Sequence, residues 1–303
     1  MIEIEQLTKR FGSRTAVDAI SCTVQPGMVT GFLGPNGAGK STTMRMIVGL
    51  DRPTSGRVAV NGRPYAELAA PMHEVGALLD AKAAHPGRTA ESHLLGLAAT
   101  HGIGKRRVAE VIALTGLESV ARRRIGGFSL GMGQRLGIAA ALLGDPRILI
   151  LDEPVNGLDP EGVLWVRQLA RHYAAEGRTV LLSSHLMSEM AQTADHVIVL
   201  GRGRIIADAP LDALTSGASL ASVRVRSPQA GELAALVASP EVQVASSAHD
   251  VLEIRGLEAA RLGEAAAAAG IVLHELTPVN ASLEDAYLAL TQDEVEYRME
   301  IAR

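Results

Sequence analysis

A glycine-rich loop near the start of the chain constrains its fold more than any other segment. Residues 34–41 (GPNGAGKS) fit the spacing G-x-x-x-x-G-K-[ST], between the apolar run of residues 29–33 and a helix-like pattern over residues 41–50. A strand, a glycine loop and a helix in this order direct backbone N–H groups and the positive helix end at one phosphate. Lys40 would reach the β- and γ-phosphates of a nucleotide, and the Ser41 hydroxyl would bind Mg²⁺. The alternative is a glycine-rich loop whose lysine is incidental.

Two acidic residues and a histidine follow other apolar strands. Asp152 and Glu153 come directly after residues 148–151 (ILIL), and His185 follows residues 179–183 (TVLLS). Carboxyl ends of parallel strands are where α/β proteins place their sites. We therefore predict that Asp152 binds Mg²⁺, that Glu153 orients and deprotonates the attacking water, and that His185 contacts the γ-phosphate. Without the phosphate loop, Asp152 and Glu153 would be read as carboxylates that cap a loop or helix.

The order of elements predicts two domains. Up to about residue 214, strands alternate with helices, which indicates a mostly parallel α/β domain. Residues 90–121 have a mainly helical pattern, and residues 197–207 are typical of a hairpin around Gly201-Arg202-Gly203. After residue 216 the predicted order becomes β-α-β-β-α-β, with strands at 220–226, 242–246, 251–255 and 271–276. This order is the ferredoxin-like motif, an α+β arrangement.

Composition agrees with this division and excludes several classes of protein. At roughly 150 residues per domain, a chain of 303 residues suggests two domains. The formal net charge of -4 argues against a nucleic-acid binder, and the single cysteine, Cys22, excludes an intramolecular disulfide. The beginning of the chain lacks the layout of a signal peptide, and no apolar run approaches the ~20 residues of a membrane span. We therefore expect a protein that is itself soluble and cytosolic.

Five motifs in one order resemble the ATP-binding cassette (ABC) ATPases over residues 2–214. Residues 34–41 resemble Walker A, residues 148–153 Walker B with its catalytic glutamate, and residues 183–185 the switch histidine. The segment 128–135 (FSLGMGQR) is similar to the family signature, and residues 157–160 (GLDP) to the D-loop. Phe11 lies where the family has an aromatic residue that stacks on adenine.

The resemblance implies a set of site residues and a fold. The implied nucleotide-binding residues are Phe11, Gly34, Asn36, Gly37, Ala38, Gly39, Lys40, Ser41 and Thr42, with Ser41 and Asp152 as Mg²⁺ ligands and Glu153 and His185 as catalytic residues. The signature would contribute Ser129, Leu130, Gly131 and Met132, and the D-loop Asp159. The implied cassette, residues 1–214, is a P-loop NTPase fold with a mostly parallel core sheet, an antiparallel β subdomain and a helical subdomain over about 88–145. Residues 215–303 would form the small ferredoxin-like accessory domain.

Two segments depart from the family pattern. The usual signature is L-S-G-G-Q, and here Phe128, Leu130 and Met132 replace three of its residues. A similar variant, S-L-G-M before Q-R, occurs in ATPases of drug-resistance exporters, so it is interpreted as a subfamily mark. Asp80 stands where the Q-loop glutamine is expected. A carboxylate accepts hydrogen bonds but cannot donate them as an amide does, so Asp80 is either a modified sensor of the γ-phosphate or a solvated loop acid.

The resemblance also implies partners and a mechanism. In this family two cassettes face head to tail, so Ser129 and Gly131 would act on the ATP of a second copy of the chain. Closure on ATP would drive separate transmembrane permease subunits, which would contact residues 81–89, and the chain would lie on the inner face of the cell membrane. Residues 283–291 and the signature resemble daunorubicin- and bacitracin-resistance ATPases, which implies export of a drug, antibiotic or lipid-like compound. The alternatives are a soluble cassette ATPase acting on ribosomes or nucleic acid, and a regulatory module that does not hydrolyse ATP.

Overall fold

The computed structural model describes residues 1–215, 222–279 and 282–291 and divides the chain into two compact units. The first unit is Met1–Ala209 and the second is Pro210–Leu290. The division lies close to the boundary predicted near residue 215. Each unit has its own cluster of buried apolar side chains.

Thirteen strands and eleven α-helices are found in the described residues. The strands are β1 (Ile2–Phe11), β2 (Arg14–Val24), β3 (Val29–Leu33), β4 (Ser55–Val60), β5 (Val75–Leu78), β6 (Ile148–Leu151), β7 (Thr179–Ser183), β8 (His196–Gly201), β9 (Arg204–Pro210), β10 (Ser222–Arg226), β11 (Gln243–Ala248), β12 (Val251–Arg255) and β13 (Glu275–Val279). The helices are α1 (Lys40–Ile47), α2 (Pro71–Glu74), α3 (Ala90–Thr100), α4 (Lys105–Leu114), α5 (Leu130–Leu142), α6 (Pro160–Ala175), α7 (Met187–Thr193), α8 (Leu211–Thr215), α9 (Ala230–Val237), α10 (Ala259–Ala268) and α11 (Leu283–Thr291).

A six-stranded sheet of order β5-β6-β7-β3-β8-β9 forms the centre of the first unit. The pairs β5–β6, β6–β7, β7–β3 and β3–β8 are parallel, as predicted, and every residue of β3, β6 and β7 is buried. Such strands are mainly apolar, without regular alternation, because both faces of the sheet are covered. Their carboxyl ends meet at one edge of the sheet, so the residues that follow β3, β6 and β7 come together.

The edge hairpin and a second sheet complete the β structure of this unit. Arg202 and Gly203 both have positive φ between β8 and β9, which is what a type I′ hairpin turn requires. Strands β2, β1 and β4 form a separate antiparallel sheet in that order. Alternate residues of β1 point into the core with α1, since Ile2 and Ile4 are fully or almost fully buried. This sheet is the predicted antiparallel β subdomain.

The helical subdomain contains α3, α4 and α5, within the predicted range of about 88–145. Each of the two longer helices of this region begins at a polar cap: the Thr89 hydroxyl accepts from Ser92 N, and the Ser129 hydroxyl accepts from Met132 N at 3.2 Å. Such caps satisfy N–H groups that have no partner within the helix. The cap at Ser129 fixes where the signature segment turns into helix α5.

The second unit has the predicted order β-α-β-β-α-β. Its antiparallel sheet has the order β11-β12-β10-β13, and one face is covered by α9 and α10. Every second residue of β10 and β12 is in the core, for example Val223 and Val225, which is the period of a half-covered strand. The assignment to the ferredoxin-like fold agrees with this order and stays a prediction.

Several predicted boundaries were wrong. The last strand of the second unit was predicted at residues 271–276 and lies at Glu275–Val279, because Ile271 joins the core from an irregular segment. The helix predicted over residues 41–50 ends at Ile47, where residues 48–51 make turn-type hydrogen bonds back to it. Residues 220 and 221 of the predicted strand 220–226 lie outside the described residues. Helix α7 was not predicted at all.

None of the helices found in the described ranges combines the length and apolar character needed to cross a lipid bilayer.

Candidate nucleotide site

The loop between β3 and α1 is shaped by glycine. Gly34, Gly37 and Gly39 all have positive φ, and a Cβ at Gly34 or Gly39 would lie 2.4 Å or 2.7 Å from a backbone oxygen. Only glycine fits such positions without displacing the neighbouring strand. The loop therefore curls around an open cavity of about 430 Å³ beside the first turn of α1. Its lining includes Asn36, Gly37, Ala38, Gly39, Lys40, Ser41 and Thr42.

Lys40 is buried beneath this loop, with 6% of its surface exposed. Its Nζ donates to the carbonyl oxygens of Gly34 and Pro35, at 2.5 Å and 3.2 Å. Burial lowers the pKa of Lys40, while the carboxylates of Glu153 and Asp152 raise it in part. The Lys40 ammonium is thus largely desolvated, and a bound phosphate would place a further negative charge beside it.

Asp152 and Glu153 enter the same cavity from the end of β6, as predicted. Ser183, at the end of β7, connects them: its hydroxyl donates to Asp152 Oδ1 at 2.5 Å and accepts from Glu153 N at 2.9 Å. Sequence reasoning assigned Ser183 no role of its own, although it is the first residue of the predicted switch segment 183–185. One hydroxyl therefore holds the Asp152 carboxylate and the Glu153 backbone.

His185 lies beside Glu153. Its Nδ1 is 2.7 Å from Glu153 Oε2, and its backbone N–H donates to the same oxygen at 3.3 Å. Glu153 has a φ of 49°, the left-handed region that residues other than glycine rarely adopt. The structure thus brings the two predicted catalytic residues into contact, with the carboxylate in a constrained backbone conformation.

Phe11 and Arg14 line the outer side of the cavity, from the hairpin that joins β1 to β2. Phe11 is 52% exposed, and its ring has Lys9 Nζ 4.9 Å from the centroid. Arg14 was missed from the sequence, and a Cβ built on Gly37 would be 3.6 Å from its Nη2. Among the described residues, its guanidinium forms no ion pair and no hydrogen bond with a side chain. The sequence signal that could have identified Arg14 is its position, three residues after Phe11, the predicted adenine-stacking aromatic.

The signature residues do not line this cavity. Ser129 to Met132 lie at the exposed N-terminal end of α5, with Leu130 49% exposed. The segment packs against the predicted D-loop of the same chain, where a Cβ on Gly131 would lie 2.6 Å from the Gly157 oxygen. Asp159 caps α6 by accepting from Gly162 N, and its Oδ1 is 3.6 Å from Arg135 Nη2.

Asp80 is also outside the nucleotide cavity. It accepts from the backbone N–H of Lys82 at 2.8 Å and lines a groove of about 610 Å³ between β5, α3 and α5. Most residues of this groove are alanine, glycine or leucine, and residues 81, 83 and 84 belong to it. The structure therefore places Asp80 with the segment predicted to contact a membrane subunit.

A glycine loop at the end of a parallel strand, a buried lysine and acidic residues on the neighbouring strand define a P-loop protein that binds nucleoside triphosphate. Comparison with known families agrees: residues 17–156 match the ABC transporter family, and residues 221–284 match a domain of unknown function, DUF8746.

Several curated proteins are similar to this chain over most of their length. The bacitracin transport ATP-binding protein BcrA of Bacillus licheniformis is 41% identical over 217 residues, 71% of this chain and 71% of that protein. The Nod factor export ATP-binding protein I of Rhizobium sp. (strain N33) is 34% identical over 97% of this chain and 98% of its own. The lantibiotic transport ATP-binding protein SrtF of Streptococcus pyogenes is 34% identical over 70% of this chain and 92% of its own.

Solved structures lead to the same family. An ATP-binding subunit of an ABC transporter superimposes with a TM-score of 0.65 and 28% identity, covering 71% of this chain and 91% of that one. A bacterial ABC transporter cassette solved as a dimer gives a TM-score of 0.64 and 25% identity, covering 70% and 99%. The chain belongs to the ABC transporter family and is an ATP-binding, ATP-hydrolysing member of it.

Proposed function

We propose that this chain is the ATP-hydrolysing subunit of an exporter for a drug, antibiotic or lipid-like compound. The observation that carries the ATPase part is the single cavity lined by Lys40, Ser41, Asp152 and Glu153. The choice of export rests on the relatives, whose names specify bacitracin transport, lantibiotic transport and Nod factor export. The match to the last of these runs through both units of the chain.

Several residues in or beside the cavity have a chemical task in this proposal. Lys40 and the N–H groups of residues 37–41 bind the β- and γ-phosphates, and Phe11 stacks on adenine. The Glu153 carboxylate orients a water molecule for attack on the γ-phosphorus and accepts its proton. His185, 2.7 Å from Glu153, holds that carboxylate and donates toward the γ-phosphate. Arg14, the second cation that lines the cavity, contacts the phosphates from the solvent side.

The oxygen atoms of the site suit Mg²⁺. Ser41 and Asp152 line the cavity together, and hydroxyl and carboxylate oxygens are the ligands that Mg²⁺ prefers. Among the described residues, no group of three or more His, Cys, Asp or Glu side chains could hold a metal ion. This fits a cation held by one or two protein oxygens and by the nucleotide phosphates. When bound, Mg²⁺ neutralises charge on the transferred phosphoryl group.

We propose further that two copies of the chain act together. Ser129 is exposed and Gly131 half-buried at the positive end of α5, outside the cavity of their own chain. In a head-to-tail dimer they would contact the γ-phosphate held by the partner. Ser129 accepts from Met132 N, which leaves its hydroxyl proton available for that phosphate.

The groove beside Asp80 is the proposed contact with separate permease subunits. Its small and apolar lining suits the apolar face of a helix from such a subunit. The chain would then lie on the inner face of the cell membrane. Residues 1–214 would perform the ATPase cycle, and residues 215–303 would form an accessory domain with a role in dimer contact or regulation.

The test of the ATPase mechanism is Glu153→Gln in the full chain. We expect turnover to fall by at least roughly 100-fold, because the amide cannot accept the proton of water. ATP binding should persist, so that nucleotide-bound dimers accumulate in size-exclusion chromatography. Glu118→Gln, an exposed acid of the helical subdomain, is the matched control and should retain turnover. Undiminished turnover in Glu153→Gln would contradict the role of this carboxylate.

The export part is tested by affinity purification of the full chain from membranes of its own host. Co-purification of a polytopic membrane protein encoded beside it is the expected result. Recovery of ribosomes or nucleic acid in its place would favour the soluble ATPase that the sequence left open.

A further inference from the structure

One buried side chain joins the signature helix to the catalytic carboxylate residue. Gln134, on the second turn of α5, is 3% exposed, and its Nε2 donates to the backbone oxygen of Glu153 at 2.7 Å. A buried amide that donates to a carbonyl in another segment fixes the distance between the two segments. The mechanism proposed above gives Gln134 no task.

The peptide that receives this hydrogen bond is unusual. Glu153 has a φ of 49°, so its backbone is in a region that costs free energy for a residue with a side chain. Such a conformation persists where the surroundings hold it from several sides. Here Ser183 accepts from Glu153 N at 2.9 Å, and Gln134 donates to Glu153 O at 2.7 Å. The bond from Asn156 N to the same oxygen is longer, at 3.2 Å.

The other end of this connection is the signature. Ser129 caps α5, and Gln134 is five residues further along the same helix. The signature also packs on the D-loop, since a Cβ on Gly157 would lie 2.5 Å from Leu130 Cδ2. A displacement of α5 along its axis would therefore move both the signature and the group that holds the Glu153 peptide.

We infer that Gln134 is a positioning residue that holds the Glu153 peptide in its left-handed conformation and couples it to the signature helix. This inference rests on the proposed dimer, in which the signature contacts the nucleotide of the partner. Contact at Ser129 would then be transmitted through α5 to the carboxylate that activates water in the same chain. The two sites of a dimer would thereby be connected through one hydrogen bond in each copy.

The first test is Gln134→Met in the full chain, a substitution that keeps the length of the side chain but removes the donor. We expect kcat to fall between about tenfold and 100-fold, because a small misplacement of a reacting group has effects of this size. The dissociation constant for ATP should stay within about twofold, since Lys40 and the loop are untouched. Unchanged kcat would overturn the inference.

Gln134→Glu separates a specific hydrogen bond from general packing. A protonated carboxyl can donate to the Glu153 oxygen, whereas an ionised one repels it. The kcat of this variant relative to that of the unmodified chain should therefore rise as pH is lowered from mildly alkaline to mildly acidic. A ratio independent of pH would contradict the inference. Ile138→Val, a buried change on the same helix, is the control for loosened packing and should keep its kcat.

Coupling to the signature is tested by combining Ser129→Ala with Gln134→Met. If Gln134 transmits the contact at Ser129, the double variant should lose less kcat than the product of the two single effects. If the two effects on kcat simply multiply, Gln134 does not transmit the contact at Ser129, and this part of the inference is overturned. Glu153→Gln, measured in parallel, separates the proposed ATPase mechanism from the inference about Gln134. If Glu153→Gln stays active, the proposed mechanism fails. If Gln134→Met stays active while Glu153→Gln does not, only the inference about Gln134 fails.

Discussion

The two units of the chain bury apolar side chains in the same way but differ in the polar groups that they bury. In the first unit Lys40, Gln134, Ser183 and Ser184 are almost inaccessible, and all lie near the carboxyl ends of the central strands. In the described part of the second unit the buried polar residues are Ser222 and Ser227. Burying a lysine or an amide lowers the stability of a fold unless it is well partnered. Burial of Lys40 and Gln134 near the phosphate-binding loop therefore tends to lower the stability of the first unit. The core of the second unit is almost entirely apolar, as in a domain stabilised mainly by side-chain packing.

This difference between the units predicts that removal of the buried charge of Lys40 strongly weakens ATP binding. Lys40→Ala should weaken ATP binding by roughly 100-fold, about 3 kcal/mol, because the phosphates lose their buried cation. The measurement is the ATP dissociation constant from calorimetric titration of the full chain. Lys105→Ala, on the exposed first turn of α4, is the control and should bind as the unmodified chain does. An unaltered affinity in Lys40→Ala would remove Lys40 from the site.

In the second unit, truncation of a buried side chain should change the free energy of unfolding and leave ATP binding unchanged. Leu233 on α9 is 0% exposed, whereas Leu236 on the same helix is 47% exposed. Leu233→Ala should lower the free energy of unfolding of this unit by about 3 kcal/mol through the cavity that it leaves. Leu236→Ala should lower it by less than about 0.5 kcal/mol. Both are measured by denaturant titration followed by circular dichroism.

The only cysteine of the chain makes this test specific to one unit. Cys22 is buried in the first unit, and burial raises the pKa of its thiol to about 12, so the folded protein should resist alkylation. Leu233→Ala should leave both the labelling rate of Cys22 and the affinity for ATP unchanged. Faster labelling would mean that the two units do not unfold separately.

The same contrast explains what could be predicted from the sequence. The strands after which Lys40, Asp152 and His185 lie were predicted because buried parallel strands are short and mainly apolar, and because the loop spacing is specific. The last strand of the second unit was predicted to begin four residues too early, since Ile271 is buried outside the strand, whereas no residue of Glu275–Val279 is fully buried.

The residues that were missed in the site are those that depend on distant partners. Ser183 and Gln134 lie within the predicted switch and signature segments, but neither motif predicts their contacts with Asp152 or Glu153, which are 19 to 31 residues away in sequence. Arg14 lies three residues from Phe11 in sequence, but its approach to Gly37 arises only when β2 packs beside the loop. Sequence motifs therefore predict the groups that line the cavity better than the groups that hold them.

Arg14 offers a sharper comparison within the first unit, between a buried cation and an exposed one. Arg14→Ala should weaken ATP binding by about tenfold, roughly 1.4 kcal/mol, less than Lys40→Ala because water partly screens an exposed charge. The loss should be smaller for AMP, which lacks the β- and γ-phosphates, and should shrink as salt is added. Arg10→Ala, exposed on the same hairpin but outside the cavity, is the control. Equal losses for ATP and AMP would place Arg14 at the base or ribose.

The smallest effect on nucleotide binding is expected from removal of the second unit. Deletion of residues 217–303 leaves the apolar core and the cavity of the first unit complete, so ATP affinity should change by less than about twofold, roughly 0.4 kcal/mol. Self-association or turnover should change, because we propose that this region acts in dimer contact or regulation. Both are measured on the same preparation, by sedimentation velocity with ATP and by phosphate release. If affinity, association and turnover all match the full chain, the accessory role is wrong. If affinity itself falls by more than tenfold, the separation of a nucleotide-binding unit from a packing unit is wrong, because the cavity would then depend on residues outside the first unit.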